Sequence, residues 1–339
     1  MRDSNRTVRW GILGTARIAE KISVAIHQAE NAELTCVASR DSEKADAWAK
    51  KHRVKRSVGS YEALLHDPEI DAVYIPLPPS LHGEWTVRAA KAGKHVLCEK
   101  PLALNVNQAR EMRRVCLEHE VQLMDGVMWY HHPRAKKILD LIRSDSLGEH
   151  RRLTSAFTFC WDTIPENDLR LQRNLGGGSL GDLGWYCIGA ALWAFNELPQ
   201  KVFGTARPYN DVDLNFSGIM WFSKDRIASF DCGFDVSMRK WFELAGTKAS
   251  LVCDDFTRPW ENTTPQFRIT DSQGNSTKYE TENPLQETCM INHFCKIIRS
   301  GHLEQQWPDL GINTQRVLNA LDYSARTETV VNLADFFPK

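Results

Sequence analysis

Short apolar runs alternate with amphipathic segments through the first third of the chain. The runs that predict strands are Val8–Leu13, Ala32–Ala38, Ala72–Pro76, His95–Cys98 and Gln122–Asp125. The segments with helical spacing are Ala16–Gln28, Ser42–His52, Tyr61–Leu65, His82–Ala92 and Asn107–His119. Strands that alternate with helices predict a parallel sheet with right-handed crossovers. Residues 1–126 are therefore predicted to form an α/β domain of the doubly wound, nucleotide-binding type.

The pattern changes after Gly126, so residues 127–339 are predicted to form a second, α+β domain. Runs rich in β-branched and aromatic residues, separated by short polar breaks, predict a large, open and mostly antiparallel sheet. These runs are Arg152–Phe159, Lys201–Ala206, Asn215–Phe222, Ile227–Phe234, Trp241–Ala245, Ser250–Cys253 and Phe267–Asp271. Helices are predicted at Pro133–Ser144, Ser179–Phe195, Leu285–Ser300 and Asn313–Arg326. The closing helix is expected to pack back on the first domain.

Composition and charge exclude several classes of protein. The 339 residues carry a formal net charge of -1 and no long basic block, which argues against nucleic acid as a partner. No apolar stretch approaches the ~18 residues that a membrane-spanning helix needs. The nine cysteines are scattered and never form a C-x-x-C pair, so neither a disulfide framework nor a metal site is expected. The polar start, Met1–Thr7, lacks the pattern of a secretory signal, and a cytoplasmic location is predicted.

A small-residue turn follows the first strand and predicts a dinucleotide site of the Rossmann type. Gly14, Ala16 and Ala19 occupy the three positions that are usually glycine, with Thr15, Arg17 and Ile18 between them. Small residues there let the backbone approach a pyrophosphate, and the N-terminus of the next helix supplies free N–H groups. Arg17 is a candidate for an additional charge-assisted contact. The two alanines depart from the usual motif, and an ordinary strand-to-helix turn is the alternative.

The end of the second predicted strand indicates which cofactor binds. NAD-specific sites usually place Asp or Glu there for the ribose 2′-hydroxyl. This chain has Ser39 followed by Arg40, a hydroxyl and a planar cation that suit a 2′-phosphate. NADP is therefore the predicted cofactor. Asp41 comes next and keeps NAD as an alternative.

Glu99, Lys100 and Pro101 follow a predicted parallel strand, at the sheet edge where open α/β sheets place ligands. A lysine held by a following proline is expected to lie near the nicotinamide. The peptide bond before Pro101 is a candidate for the cis form, which would change the direction in which the lysine side chain points. A surface lysine without a role is the alternative.

Three consecutive glycines, Gly176 to Gly178, precede a helix that carries Asp182 and Tyr186. Residues four apart share one helix face. A nearby lysine favours the phenolate and lowers a tyrosine pKa from its usual value of about 10. Tyr186 is therefore predicted to be the general acid/base, tuned by Lys100, with Asp182 binding or orienting a substrate hydroxyl. A core tyrosine with a satisfied hydroxyl is the alternative.

Taken together, these segments resemble the Gfo/Idh/MocA oxidoreductases over nearly the whole chain. The resemblance includes the N-terminal turn, Glu99-Lys100-Pro101, the triple-glycine helix and the closing segment Asn313–Leu333. Many members have histidine as the base. Tyr186 is similar instead to the branch that contains dimeric dihydrodiol dehydrogenase, glucose–fructose oxidoreductase and the NADP-dependent D-xylose 1-dehydrogenases.

The resemblance implies further site residues. The segment Ile75–His82 looks like the family's proline-containing strand end beside the nicotinamide, which implies that Pro76, Leu77, Pro79 and His82 bind the cofactor. Asn167–Leu171 looks most like the xylose dehydrogenases and implies Arg170 at the substrate. Relatives often have arginine where this chain has Tyr130, so the substrate pocket is expected to differ, with Trp129, Tyr130 and His131 lining it.

The resemblance also implies an activity and a partner. It implies hydride transfer between NADP and a sugar, such as an aldose or an anhydro-sugar, and a homodimer formed through the C-terminal sheet. A trans-1,2-dihydrodiol dehydrogenase would use the same residues and is the second enzyme hypothesis. A third hypothesis is a regulator that senses dinucleotide and sugar without chemistry, against which the presence of Lys100 and Tyr186 argues.

Overall fold

The computed structural model describes residues 6–165 and 167–336, and the chain divides into two units. The first unit contains the residues up to His131 together with Pro284–Ile312, and the second contains His132–Asn283 and the residues from Asn313 onward. Most of the polar segment Met1–Thr7 lies outside the described residues. No helix in the described ranges has the length and apolar character that a membrane span requires.

Fifteen strands and ten α-helices are present in the described chain. The strands are β1 (Val8–Leu13), β2 (Ala32–Ala38), β3 (Arg56–Val58), β4 (Ala72–Ile75), β5 (His95–Cys98), β6 (Leu123–Asp125), β7 (His150–Cys160), β8 (Lys201–Tyr209), β9 (Val212–Trp221), β10 (Ile227–Gly233), β11 (Asp235–Gly246), β12 (Ala249–Cys253), β13 (Gln266–Asp271), β14 (Ser276–Glu280) and β15 (Val331–Asn332). The helices are α1 (Arg17–Gln28), α2 (Ser42–His52), α3 (Tyr61–Leu65), α4 (Pro79–Lys91), α5 (Val106–Glu118), α6 (Pro133–Arg143), α7 (Trp185–Phe195), α8 (Gln286–Ser300), α9 (Gln306–Thr327) and α10 (Leu333–Phe336).

The first unit is built on a six-stranded sheet with the order β3-β2-β1-β4-β5-β6, in which every neighbouring pair is parallel. The strand order reverses direction between β1 and β4. Sheets of this type bind ligands in the crevice outside the carboxyl ends of the strands at such a switch point. The predicted doubly wound α/β fold is confirmed. β1 and β4 are almost entirely buried, as strands covered on both faces by helices must be.

A helix from late in the chain completes the core of the first unit. α8 packs against α1 and β1, and the Trp10 and Phe294 rings lie 5.3 Å apart. Met290, Ile291 and Phe294 belong to the same buried cluster as β1 and α1. Helix α8 therefore supplies apolar surface that the first 131 residues alone do not provide.

The second unit is built on a nine-stranded sheet with the order β14-β13-β12-β11-β7-β10-β9-β8-β15. Its neighbouring strands are antiparallel except for β7 and β10, which pair in parallel. The predicted large and mostly antiparallel sheet is confirmed. Along β10 buried and partly buried residues alternate, and Phe230 and Cys232 lie beside Gly184 at the start of α7.

Several predicted boundaries were wrong, and each error has a local cause. α4 begins at Pro79 rather than at His82, because prolines are accommodated in the first turn of a helix. α9 begins at Gln306 rather than at Asn313, and Pro308 lies within its first turn. The strands β3, β14 and β15 were not predicted, since they are short and mostly polar or half-exposed. Leu180–Gly184, predicted as part of an α-helix, forms a π-helical turn that leads into α7.

Candidate active site

The turn between β1 and α1 has the shape of a phosphate cradle. Gly14 has φ +107°, a conformation that side chains other than glycine rarely adopt, and its N–H donates to Ala38 O at 2.8 Å. Thr15, Ala16 and Ile18 are partly exposed, and Arg17 is exposed at the first position of α1. Ala16 precedes the helix without providing a side-chain cap. The N–H groups at the N-terminus of α1 therefore donate to no capping side chain.

The end of β2 brings a hydroxyl and a cation to the side of this turn. Ser39 is buried, and its Oγ accepts from Asp41 N at 3.2 Å. Arg40 is exposed and lies close enough to the hydroxyl of Tyr61 to affect its pKa. Burial raises the pKa of Tyr61, and Arg40 opposes that shift. The same hydroxyl would lie 3.6 Å from a Cβ on Gly14, so Tyr61 links the cation to the glycine turn.

Asp41, the residue that kept NAD as an alternative cofactor, caps a helix. Its carboxylate accepts from Lys44 N at 3.1 Å and caps the N-terminus of α2. A carboxylate held in this position is less available to a ribose hydroxyl. The arrangement favours the 2′-phosphate interpretation of Ser39 and Arg40.

The predicted nicotinamide-side residues lie around the start of α4. Pro76, Leu77 and Pro79 are buried, and the Leu77 side chain would lie 3.1 Å from a Cβ on Gly14. His82 is fully buried, with Nδ1 2.9 Å from Pro101 O and Nε2 2.7 Å from Leu77 O. Desolvation is the main cause that lowers its pKa. His82 therefore bridges the loops at Leu77 and Pro101. Because its side chain has no exposed surface, it is not placed to make the direct cofactor contact that the resemblance implies.

Glu99 is a buried carboxylate at the end of β5, and it holds the segment that carries Lys100. Its Oε1 accepts from the Tyr74 hydroxyl at 2.6 Å, and its Oε2 accepts from Lys100 N at 3.2 Å. A Cβ on Gly126 would lie 2.8 Å from Glu99 Oε1, so a side chain at this position would displace the carboxylate. The peptide bond between Lys100 and Pro101 is cis. The Lys100 side chain is partly exposed.

Trp129 and Tyr130, predicted to line a substrate pocket, are 3% and 8% exposed. They lie in a 3-10 turn in the first unit, and their rings are 4.2 Å apart. Tyr130 also lies 6.1 Å from the Trp307 ring. Both side chains thus take part in an aromatic cluster, and little of either is available to a ligand.

The second unit carries Asp182 and Tyr186. Asp182 lies in the π-helical turn Leu180–Gly184, and Tyr186 lies in the first turn of α7. The Tyr186 ring makes an edge contact with Phe157 at 5.2 Å. Both side chains are partly exposed. Lys100 belongs to the first unit, so the predicted pairing of Lys100 with Tyr186 stays a prediction.

Arg170 joins two carboxylates. Its Nε donates to Asp182 Oδ2 at 2.6 Å, and its Nη1 lies 3.3 Å from Asp168 Oδ2. The charge of Asp182 is the largest cause that raises the pKa of Arg170. Two of the predicted substrate residues, Arg170 and Asp182, are thus brought together as an ion pair with side chains that are 29% and 15% exposed.

Sequence reasoning missed two side chains that support this site. Tyr61 and Tyr74 looked like ordinary core aromatics, because an apolar run does not show where a hydroxyl points. Their partners, Arg40 and Glu99, are distant in the chain and meet them only in the folded sheet. Among the described residues, no group of three or more His, Cys, Asp or Glu side chains is placed to hold a metal ion.

Comparison with known proteins gives two family matches. Residues 8–127 match the model described as an oxidoreductase family with an NAD-binding Rossmann fold. Residues 135–252 match the GFO/IDH/MocA C-terminal domain. The two matches fall one in each half of the architecture described above.

Individual relatives align over almost their full length. An uncharacterized oxidoreductase of Rhizobium meliloti is 36% identical over 94% of this chain and 97% of its own. A D-xylose 1-dehydrogenase (NADP(+)) of Haloferax volcanii is 32% identical over 96% of this chain and 99% of its own. A solved 3-ketoreductase from Actinomadura kijaniata, in complex with NADP and TDP-benzene, superposes with a TM-score of 0.87 at 28% identity, covering 94% of this chain and 98% of that chain.

Proposed function

Because the chain belongs to the Gfo/Idh/MocA oxidoreductase family, we propose that it is an NADP-dependent enzyme that transfers hydride between nicotinamide and a sugar. One observation carries the proposal. The helix that follows the triple glycine presents a phenol, Tyr186, four residues from a carboxylate, Asp182, which Arg170 holds by an ion pair. These groups suit a substrate that carries several hydroxyls and loses or gains a proton at one of them.

The first unit fits a dinucleotide phosphate. The uncapped start of α1 and the backbone of Gly14 would hold the pyrophosphate, and Ser39 and Arg40 would hold the 2′-phosphate. Leu77 and Pro79, at the start of α4, would border the nicotinamide. When bound, NADPH would supply the hydride for reduction, and NADP would accept it in oxidation.

The chain itself supplies proton transfer and orientation. In oxidation the Tyr186 phenolate takes the proton from the reacting hydroxyl, and in reduction the Tyr186 phenol returns a proton to the substrate oxygen. The Lys100 ammonium contributes positive charge, which stabilises a phenolate and a polarised substrate oxygen. Asp182 accepts hydrogen bonds from substrate hydroxyls, and the contact with Arg170 orients that carboxylate.

Replacing Tyr186 by Phe tests this function directly. The variant keeps the ring and its contact with Phe157 but has no proton to exchange. We expect kcat with an aldose and NADP to fall by about 10²- to 10⁴-fold, the usual contribution of general acid/base catalysis. The dissociation constant for NADPH, measured by fluorescence titration, should change less than about twofold, because the cofactor residues lie in the other unit.

The matched control is Tyr323→Phe, which removes a hydroxyl from a tyrosine that is 44% exposed on α9. It should keep wild-type kcat. Full activity of Tyr186→Phe across all sugars tested would refute the assignment of Tyr186 and with it the proposed mechanism.

Reduction of a nucleotide-linked keto-sugar is a second candidate. It is favoured by the similarity to the 3-ketoreductase that was solved with NADP and TDP-benzene. The same proton-transfer residues would serve it. A panel that compares free aldoses, anhydro-sugars, trans-dihydrodiols and a dTDP-linked keto-sugar, each with both cofactors, separates the candidates by kcat/KM.

We also propose that the protein is a homodimer formed through the nine-stranded sheet and that it acts in the cytoplasm. Thr205, Ser217 and Ser229 line a shallow concavity on the face of that sheet that also bears Ile219.

All nine cysteines are free, and seven are buried, which suits a reducing compartment. Alkylation of the denatured protein without reductant should modify nine thiols, and fewer would argue against that location.

A further inference from the structure

Asp213, near the start of β9, reaches the first residues of the helical segment that carries Tyr186. Its Oδ2 accepts from Ser179 Oγ at 2.6 Å and from Leu180 N at 2.7 Å. Both donors converge on the same carboxylate oxygen. The other oxygen would lie 2.3 Å from a Cβ on Gly178, so the third glycine of the Gly176–Gly178 run gives this carboxylate its space.

This carboxylate replaces a cap that the segment lacks. Ser179 precedes the π-helical turn, and its side chain makes no capping hydrogen bond. Gly184, which precedes α7, makes none either. The first N–H groups of a helix need acceptors, and a carboxylate near them is also stabilised by the helix dipole. Asp213 supplies that acceptor from a different element of the same unit.

The surroundings leave this end of the segment few other positions. Ser179 is fully buried and Leu180 is 3% exposed. Cys232 Sγ lies 3.5 Å from Ser179 O, and a Cβ on Gly184 would lie 3.2 Å from the same sulfur. Desolvation raises the pKa of Asp213 to about 6. The charged form is therefore costly to bury, and its two short hydrogen bonds are what offset that cost.

We propose that Asp213 is a positioning residue for the reaction, which fixes the start of the π-helical turn and thereby the location of Asp182 and Tyr186. The inference rests on the proposed function of Tyr186. Leu180 lies two residues before Asp182 and six before Tyr186, so a shift at the start of the turn moves both groups. Misplacement by about 1 Å can reduce a rate by about 10²-fold.

The experiment compares Asp213→Ala with Asp213→Asn. Because both donors meet one oxygen, the amide oxygen of Asn can accept both hydrogen bonds, whereas Ala accepts neither. We expect kcat of the Ala variant to fall by about 10- to 100-fold and kcat of the Asn variant to stay within about threefold of wild type. KM for NADP and the NADPH dissociation constant should change less than about twofold in both, since the cofactor residues belong to the first unit.

Ser179→Ala provides a variant that removes one of the two donors and leaves the carboxylate in place. We expect it to lower kcat by about three- to tenfold, and it decides the question if Asp213→Ala does not fold. Circular dichroism and thermal melting establish that each variant compared is folded.

Wild-type kcat in folded Asp213→Ala would overturn the inference, and so would equal impairment of Asp213→Asn and Asp213→Ala. If Asp213→Ala does not fold, wild-type kcat in Ser179→Ala would overturn it. Tyr186→Phe, assayed in parallel, distinguishes failure of the proposed function from failure of the positioning role. Activity in that variant refutes the proposed function, whereas its inactivity beside an unimpaired Asp213→Ala refutes only the positioning role.

Discussion

Carboxylates in both units are held by ion pairs or hydrogen bonds before any ligand binds. Arg170 contacts Asp168 and Asp182, and Glu99 accepts hydrogen bonds from Tyr74 and from the backbone of Lys100. Such contacts reduce the freedom of groups that must act in one geometry.

Arg40→Ala should weaken NADP selectively. A charge-assisted hydrogen bond contributes about 1.5–3 kcal/mol, so we expect KM for NADP to rise about tenfold or more. KM for NAD should change less than about twofold, because NAD has no 2′-phosphate for the guanidinium to bind. Steady-state kinetics with both cofactors measure the ratio.

Lys50→Ala is the control for Arg40→Ala, since Lys50 is an exposed cation in the last turn of α2. It should leave both KM values unchanged. An unaltered NADP preference in Arg40→Ala would show that another group reads the 2′-phosphate.

The five helices that follow the strands β1 to β5 of the first sheet differ in how their N-termini are capped. Asp41, Ser60 and Asn105 cap α2, α3 and α5 with their side chains. α1 and α4 follow the adjacent central strands β1 and β4, and Ala16 and Pro78 give them no side-chain cap. Capped starts serve the fold, and uncapped starts at the switch point of the sheet leave N–H groups for an anionic ligand.

Asp41→Ala should therefore affect the helix and not the cofactor preference. Loss of an N-cap costs about 0.5–2 kcal/mol, so the free energy of unfolding in urea should fall by about 1 kcal/mol. The ratio of kcat/KM values for NADP and NAD should stay within about twofold of wild type, because the carboxylate is turned toward Lys44 N.

Asn105→Ala removes the corresponding cap of α5, where Asn105 Oδ1 accepts from Gln108 N at 3.0 Å, and should cost a similar free energy. A strong gain in NADP preference in Asp41→Ala alone would mean instead that Asp41 faces the ribose and repels the phosphate.

At the level of the whole molecule, sequence order and packing order differ. α8 lies some 260 residues after α1, and it still belongs to the core of the first unit, where Asn292 Oδ1 also accepts from Glu30 N at 2.8 Å. One edge strand of the nine-stranded sheet is β15, whose Val331 pairs with Val202 of β8. Each unit is thus completed by a segment from the end of the chain.

Ile219→Lys should break the proposed dimer. Ile219 is 37% exposed on β9, and in a two-fold interface a buried, unpaired ammonium is introduced twice. Light scattering after size exclusion should give twice the 38.7 kDa chain mass for wild type and a shift toward the single-chain mass for the variant.

Leu117→Lys is a matched control, because Leu117 is 38% exposed and lies on α5 in the other unit. It should remain dimeric. A wild-type mass equal to one chain at micromolar concentration would reject the homodimer, and a dimeric Ile219→Lys would place the interface elsewhere.

The local pattern of this sequence determined most strands and helices of the first unit, the small-residue turn at Gly14 and the candidate proton-transfer residues, because hydrophobic period, glycine and chemically reactive side chains are properties of short segments. Only the tertiary structure decided that His82 is buried beneath two loops, that Arg170 holds Asp182, and that Asp213 supports the start of the π-helical turn. These facts depend on partners that are distant in the chain, and a hydrogen bond between such residues leaves no periodic trace in the sequence. The π-helical turn escaped prediction for the same reason: its extra residue per turn is stabilised by packing against β10, not by local preference.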